Sequence, residues 1–136
     1  MANRWLLKTD PEDYTYDDLE RDGRAVWDGV ANNMALQNIR KIRKGDALII
    51  YHTGDQKAIV GLAVATSDAY PDPSEKNEKL AVIDVKPRRR AKAAVTLAAI
   101  KAVPEFASFP LVRLPRLSVM PITEDEWQRL RQMAGW

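Results

Sequence analysis

The sequence predicts an α+β domain: a small, mostly antiparallel sheet of about five or six short strands, curled toward a barrel, with helices inserted around it. Three observations lead there. Short apolar, β-branched runs at residues 46–52 and 58–67 are bounded by turn-forming residues. Helix-start signals stand between some of the runs, with Thr15 and Thr123 at capping-box spacing from Asp18 and Glu126. Gly61 interrupts the more apolar run, which marks a bend or a close backbone approach.

In chain order, residues 4–8 read as a first strand that stops before Thr9-Asp10-Pro11, because proline cannot donate to a ladder. Thr15 then caps a short helix over residues 16–21, with Leu19 inward and Gly23 as its stop. Residues 27–33, Trp-Asp-Gly-Val-Ala-Asn-Asn, form a turn leading into a second helix over 33–43. In that helix Ala35, Leu36, Ile39 and Ile42 make one buried stripe. Arg40, Lys41, Arg43 and Lys44 crowd its end, where the helix dipole favours cations. Strands follow at 46–52 and 58–67, and residues 70–77 are an exposed connection. A strand at 80–85 runs into the basic stretch 88–92. Thr96 caps a short helix that ends before Pro104, and residues 105–108 add a turn. A last strand at 117–122 precedes a helix over 124–133, with Trp127, Leu130 and Met133 or Ala134 inward.

Composition narrows the function. At 136 residues, 46% hydrophobic and 29% charged, the chain is one ordinary globular domain. It has no cysteine, which excludes disulfides and thiolate metal sites. No signal peptide and no run long enough for a membrane helix is visible, so a cytoplasmic protein is expected. Residues 1–30 carry four basic and eight acidic side chains, whereas residues 79–136 carry eleven basic and five acidic. That asymmetry suits a basic face that meets phosphates, and equally suits solvated charge spread over several faces.

Nothing marks a catalyst. His52 is the only histidine, no second metal ligand stands at a useful spacing, and neither a nucleophile elbow nor a phosphate-cradling glycine loop is present. A non-catalytic binding module without metal or cofactor is therefore expected. Trp5 and Trp127 lie on periodic apolar faces and read as core. Trp27 serves no such pattern. Beside it Asn32, Asn33, Tyr51 and His52 offer the stacking and hydrogen-bonding chemistry by which single nucleobases are held.

These residues resemble a family. Trp5-Leu6-Leu7-Lys8-Thr9-Asp10-Pro11, Trp27-Asp28-Gly29-Val30 followed by Asn32, Lys44-Gly45-Asp46, Tyr51-His52-Thr53 and Arg116-Leu117-Ser118-Val119 stand in the order found in EVE domains. The resemblance covers essentially the whole chain. It implies a PUA-like mixed barrel, related to YTH domains, that binds DNA or RNA and reads a modified base. It further implies a pocket walled by Trp27 and lined by Thr9, Asp28, Gly29, Val30, Asn32, Asn33, Tyr51, His52, Leu117 and Ser118. Ala31 replaces an arginine common in the family, Asn33 a tyrosine and Pro115 a serine, so one charge and one aromatic are missing from the motif.

On this reading the pocket takes one flipped or unpaired base while Arg88, Arg89, Arg90, Arg113 and Arg116 meet phosphates. Two alternatives stay open at this point. One is a hydrolase or deaminase of a base-like small molecule, using His52 and Asp28. The other is a protein-interaction module in which the Trp27 stretch is packed core.

Overall fold

The apolar runs pair into one curled sheet in the computed structural model, which describes residues 3–75, 77 and 79–136. Its strands are β1 (Arg4–Thr9), β2 (Ala25–Trp27), β3 (Ala47–His52), β4 (Ala58–Ala65), β5 (Tyr70–Pro71), β6 (Ala81–Thr96) and β7 (Val119–Pro121). They lie in the order β2-β6-β4-β3-β1-β7, with β5 paired to β6 beside that path. β1 and β3 run parallel, Leu6 opposite Ile49, and the other pairings described are antiparallel. A parallel pair needs a crossover, and here it carries α1 (Tyr16–Asp22), β2 and α2 (Asn33–Ile39). The crossover starts where β1 ends. That is why the Trp27 stretch returns to the rim of the sheet.

The remaining helices are α3 (Leu97–Lys101), α4 (Pro110–Arg113) and α5 (Glu124–Ala134). Both expected capping boxes form, Thr15 with Asp18 and Thr123 with Glu126. Asn32 caps α2 by accepting from the Ala35 amide at 3.1 Å, and Thr96 caps α3. Leu6, Ile39, Ile49, Ile59, Ile83 and Leu130 are fully buried in a core shared by the sheet and the helices. Gly61 marks the close approach its place in the strand suggested. A Cβ there would stand 2.0 Å from Cε1 of Tyr16, whose hydroxyl donates to the Leu62 carbonyl at 2.6 Å.

Several boundaries differ from the sequence reading, each for a local reason. α2 stops at Ile39, four residues early, because Lys41 and Ile42 close tighter turns and the Arg43 amide donates to the Asp46 carboxylate. Arg40 is the C-cap and Lys41, Arg43 and Lys44 lie just beyond it, with the Arg43 guanidinium donating to the Arg40 carbonyl at 2.9 Å. Residues 81–96 form one long strand that carries the basic stretch within it. The 70–77 connection holds the two-residue β5, and α4 was not foreseen. The last strand is shortened to Val119–Pro121, with proline tolerated on an edge. Trp127 is half-buried, packs against the edge of the core and stacks on Trp136 with ring centroids 6.0 Å apart.

Candidate nucleic-acid interface

Trp27 ends β2, opposite Ile83 of β6, and its side chain is only 7% exposed. It has the packing role the sequence did not reveal, because a three-residue strand is too short to show a period. Its indole nitrogen nevertheless makes no hydrogen bond among the described residues. No buried polar side-chain atom among the described residues lacks a partner. The chain then turns through Gly29, whose φ of +79° favours glycine, and leaves Asp28 exposed.

Trp27, Asp28 and Gly29 line a hollow of about 490 Å³ at the C-terminal end of β1. Lys8, Thr9, Asp10, Asp13 and Tyr14 line it as well, and Ala25 and Val26 add apolar surface. Val26 is 51% exposed. The Thr9 hydroxyl donates to the Tyr14 carbonyl at 2.9 Å and fixes the turn that brings Tyr14 over the hollow. Burial and the Asp22 carboxylate, which accepts from the Tyr14 hydroxyl at 2.8 Å, push that phenol up to about 12. Tyr14 thus remains a neutral aromatic. The Lys8 ammonium donates to the Pro115 carbonyl at 2.9 Å and lies 5.7 Å from the Tyr51 ring centroid. Burial lowers its pKa.

Of the residues expected at the pocket, the structure brings Thr9, Trp27, Asp28 and Gly29 together. Val30 is buried and, with Asp28 and Gly29, edges a smaller depression shared with Asp72 and Ser74. Asn32 and Leu117 border a separate groove with Met34, Arg113, Leu114, Pro115 and Arg116. The Lys8–Pro115 hydrogen bond joins that groove to the Trp27 hollow. Asn33 is exposed at the start of α2, and the Ser118 carbonyl accepts from the Lys8 amide. Tyr51 is buried under Lys8.

His52 is buried away from the hollow, at the start of α1. Its Nε2 accepts from the Tyr16 amide at 3.0 Å and its Nδ1 meets Gln56 Oε1 at 2.7 Å. Those partners assign the proton to Nδ1, and both ring nitrogens are occupied. No cluster of three or more histidine, cysteine or carboxylate groups that could hold a metal occurs among the described residues.

The arginines separate into groups. Arg113 and Arg116 are exposed beside the Asn32 groove, while Arg88 and Arg89 lie at the opposite end of β1. Arg90 pairs with both Asp17 and Glu20, which neutralises it as a phosphate contact. Sequence reasoning missed Lys8, Asp10, Asp13, Tyr14, Ala25 and Val26. The Thr9-Asp10-Pro11 turn signal lay within reach, but its consequence, a tyrosine in the same hollow as Trp27, depends on the crossover.

A curled sheet of this topology, with helices in its crossovers and on its outer side, defines a PUA-like α+β domain. The fold is shared with ASCH from Zymomonas mobilis, at a TM-score of 0.63 and 12% identity over 96% of this chain and 95% of that one. Within that class the EVE domain family matches residues 3–133, and the chain belongs to it. Thymocyte nuclear protein 1 of Rattus norvegicus is 29% identical over 93% of this chain and 71% of that protein. Rpa0253 from Rhodopseudomonas palustris superposes with a TM-score of 0.92 at 37% identity, covering 98% and 94% of the two chains. Human THYN1, in a crystal structure with DNA containing 5-methylcytosine, superposes with a TM-score of 0.89 at 25% identity over 99% of each chain. No helix among the described residues is long and apolar enough to cross a membrane.

Proposed function

We propose that this domain is a non-catalytic reader of modified DNA, holding one extrahelical base, a 5-methylated cytosine, in the hollow between Trp27 and Tyr14. The observation that carries the reading is the donor–acceptor pair on one wall. Among the described residues the Trp27 N–H has no hydrogen-bond partner, and Asp28 is exposed. A cytosine edge presents O2 and N3 as acceptors and N4 as donor, and a carboxylate is a fitting acceptor for that exocyclic amine. Ala25 and Val26 supply apolar surface for a methyl group, and Tyr14 a π face. Trp27 acts here through its edge more than its face, because the indole is almost covered. The likeness to human THYN1, solved with 5-methylcytosine DNA, supports the choice of base.

Arg113 and Arg116 are the cations that meet the flanking phosphates, since their loop is tied to the hollow through Lys8 and Pro115. The non-catalytic reading is supported by His52, whose two ring nitrogens serve the helix start and Gln56. Titration of fluorescent hairpin DNA carrying one 5-methylcytosine, against its unmodified twin, tests the proposal. Wild type binds the modified hairpin more tightly. Asp28→Ala and Tyr14→Ala each lose roughly tenfold or more, the scale of one base contact. Equal affinity of wild type for both hairpins would remove base recognition from this hollow.

A further inference from the structure

A second hollow, of about 560 Å³, lies at the other end of β1 from the Trp27 site. Asn3 and Arg4 border one hollow and Lys8 and Thr9 the other, so about 16 Å of strand separates them at roughly 3.3 Å per residue. Its walls include Arg4, Arg88, Arg89 and Arg131, together with Trp127 and Trp136, and among the described residues no aspartate or glutamate side chain lines it. Arg4 pairs with Glu124, but Arg88, Arg89 and Arg131 form no ion pair among the described residues.

The local geometry explains why two successive arginines share one hollow. β4 and β6 slip register here, Leu62 facing Arg89 while Ala63 faces Pro87, which leaves Arg88 as the extra residue of a bulge. A regular strand sends neighbouring side chains to opposite faces, and a bulge re-aims one of them. The aromatic wall is equally well fixed. Trp136 stacks on Trp127 at an interplanar angle of 24° and donates its N–H to the Arg90 carbonyl at 3.2 Å. The Arg4 guanidinium lies 4.8 Å from the Trp127 ring centroid.

We infer that this hollow is a second nucleic-acid contact, which holds the backbone of a single strand on Arg88, Arg89 and Arg131 and lets an unpaired base lie against the Trp127–Trp136 pair. Unpaired guanidinium groups beside indole rings are the combination that binds single strands with little regard to sequence. An acidic peptide would satisfy the arginines but leave the paired indoles without a flat partner. The inference does not depend on what occupies the Trp27 hollow. It gives the domain a base-independent foothold on unmodified strand.

The test is fluorescence anisotropy of an unmodified oligothymidylate with wild type and the triple variant Arg88→Ala/Arg89→Ala/Arg131→Ala. Thermal melting confirms that each is folded. The triple variant loses roughly tenfold in affinity at moderate salt, and the slope of log K against log salt falls by about 2, as expected for three lost phosphate contacts. Unchanged affinity and slope in the triple variant would overturn the inference. So would displacement of the strand by poly-glutamate as effectively as by unlabelled oligothymidylate, since the hollow would then be an anion site without a base platform.

Discussion

The indole N–H of Trp5 donates to Asp46 Oδ2 at 3.0 Å, joining the start of β1 to the start of β3 across 41 positions. The same buried carboxylate accepts the backbone amides of Asn3 at 3.0 Å and Arg43 at 2.9 Å. One side chain thus satisfies three donors, ends the turn after α2 and sets the register of the parallel pair. Asp46→Ala leaves those donors without a partner in a buried site and is expected to cost at least about 3 kcal/mol of stability. Urea denaturation measures it. A loss below about 1 kcal/mol would show that water replaces the carboxylate.

Gly61 and Tyr16 make the second mechanical prediction. A methyl at Gly61 meets the Tyr16 ring at 2.0 Å, and that ring is held by its hydroxyl on Leu62 and by the Arg90 guanidinium 5.2 Å from its centroid. Gly61→Ala is expected to destabilise the fold by about 3 kcal/mol, through overpacking. In a Tyr16→Leu background the same change costs less. Additive losses in that double-mutant cycle would place the clash elsewhere.

Alkaline pH supplies a third. Burial and Asp22 raise the Tyr14 phenol to about 12, and the hydrogen bond to Asp84, with burial, raises Tyr70 to about 12. An unfolded tyrosine titrates near 10, so below that pH both states keep the proton and the stabilisation is whole. Between pH 10 and 12 the unfolded chain binds fewer protons than the native one, and stability falls as pH rises. Denaturation midpoints at pH 9, 10 and 11 follow the loss. Tyr14→Phe with Tyr70→Phe flattens the decline, and an equally steep decline in that double variant would assign it to other groups.

Much of the architecture was legible because it rests on local chemistry. Thr15, Thr123 and Gly61 each announce a physical requirement within a few residues, and each is met where expected. The family motifs were legible too, and the structure supplies a cause for one of them. Trp5 and the Gly45-Asp46 pair belong together because an indole N–H needs a buried acceptor. What could not be read depends on partners distant in sequence. β2 is three residues long and exists through its pairing with β6. The long β6 absorbs an arginine run that the sequence placed after the strand, and its bulge brings Arg88 and Arg89 into one hollow with Trp136. The candidate site was half legible for the same reason. Thr9, Trp27, Asp28 and Gly29 converge, whereas Tyr14 comes to them only through the crossover, and His52 serves the helix start instead.

The central claim is that a methylated cytosine occupies the hollow at Trp27, and the four tryptophan indole N–H signals in a nitrogen-15 correlation spectrum test it directly. Addition of the 5-methylcytosine hairpin is expected to shift the Trp27 signal strongly, because its N–H gains an acceptor. The unmodified hairpin moves it little, and Trp5, paired with Asp46, stays in place. A Trp27 signal unmoved by saturating modified hairpin, while those of Trp127 and Trp136 respond, would contradict the account.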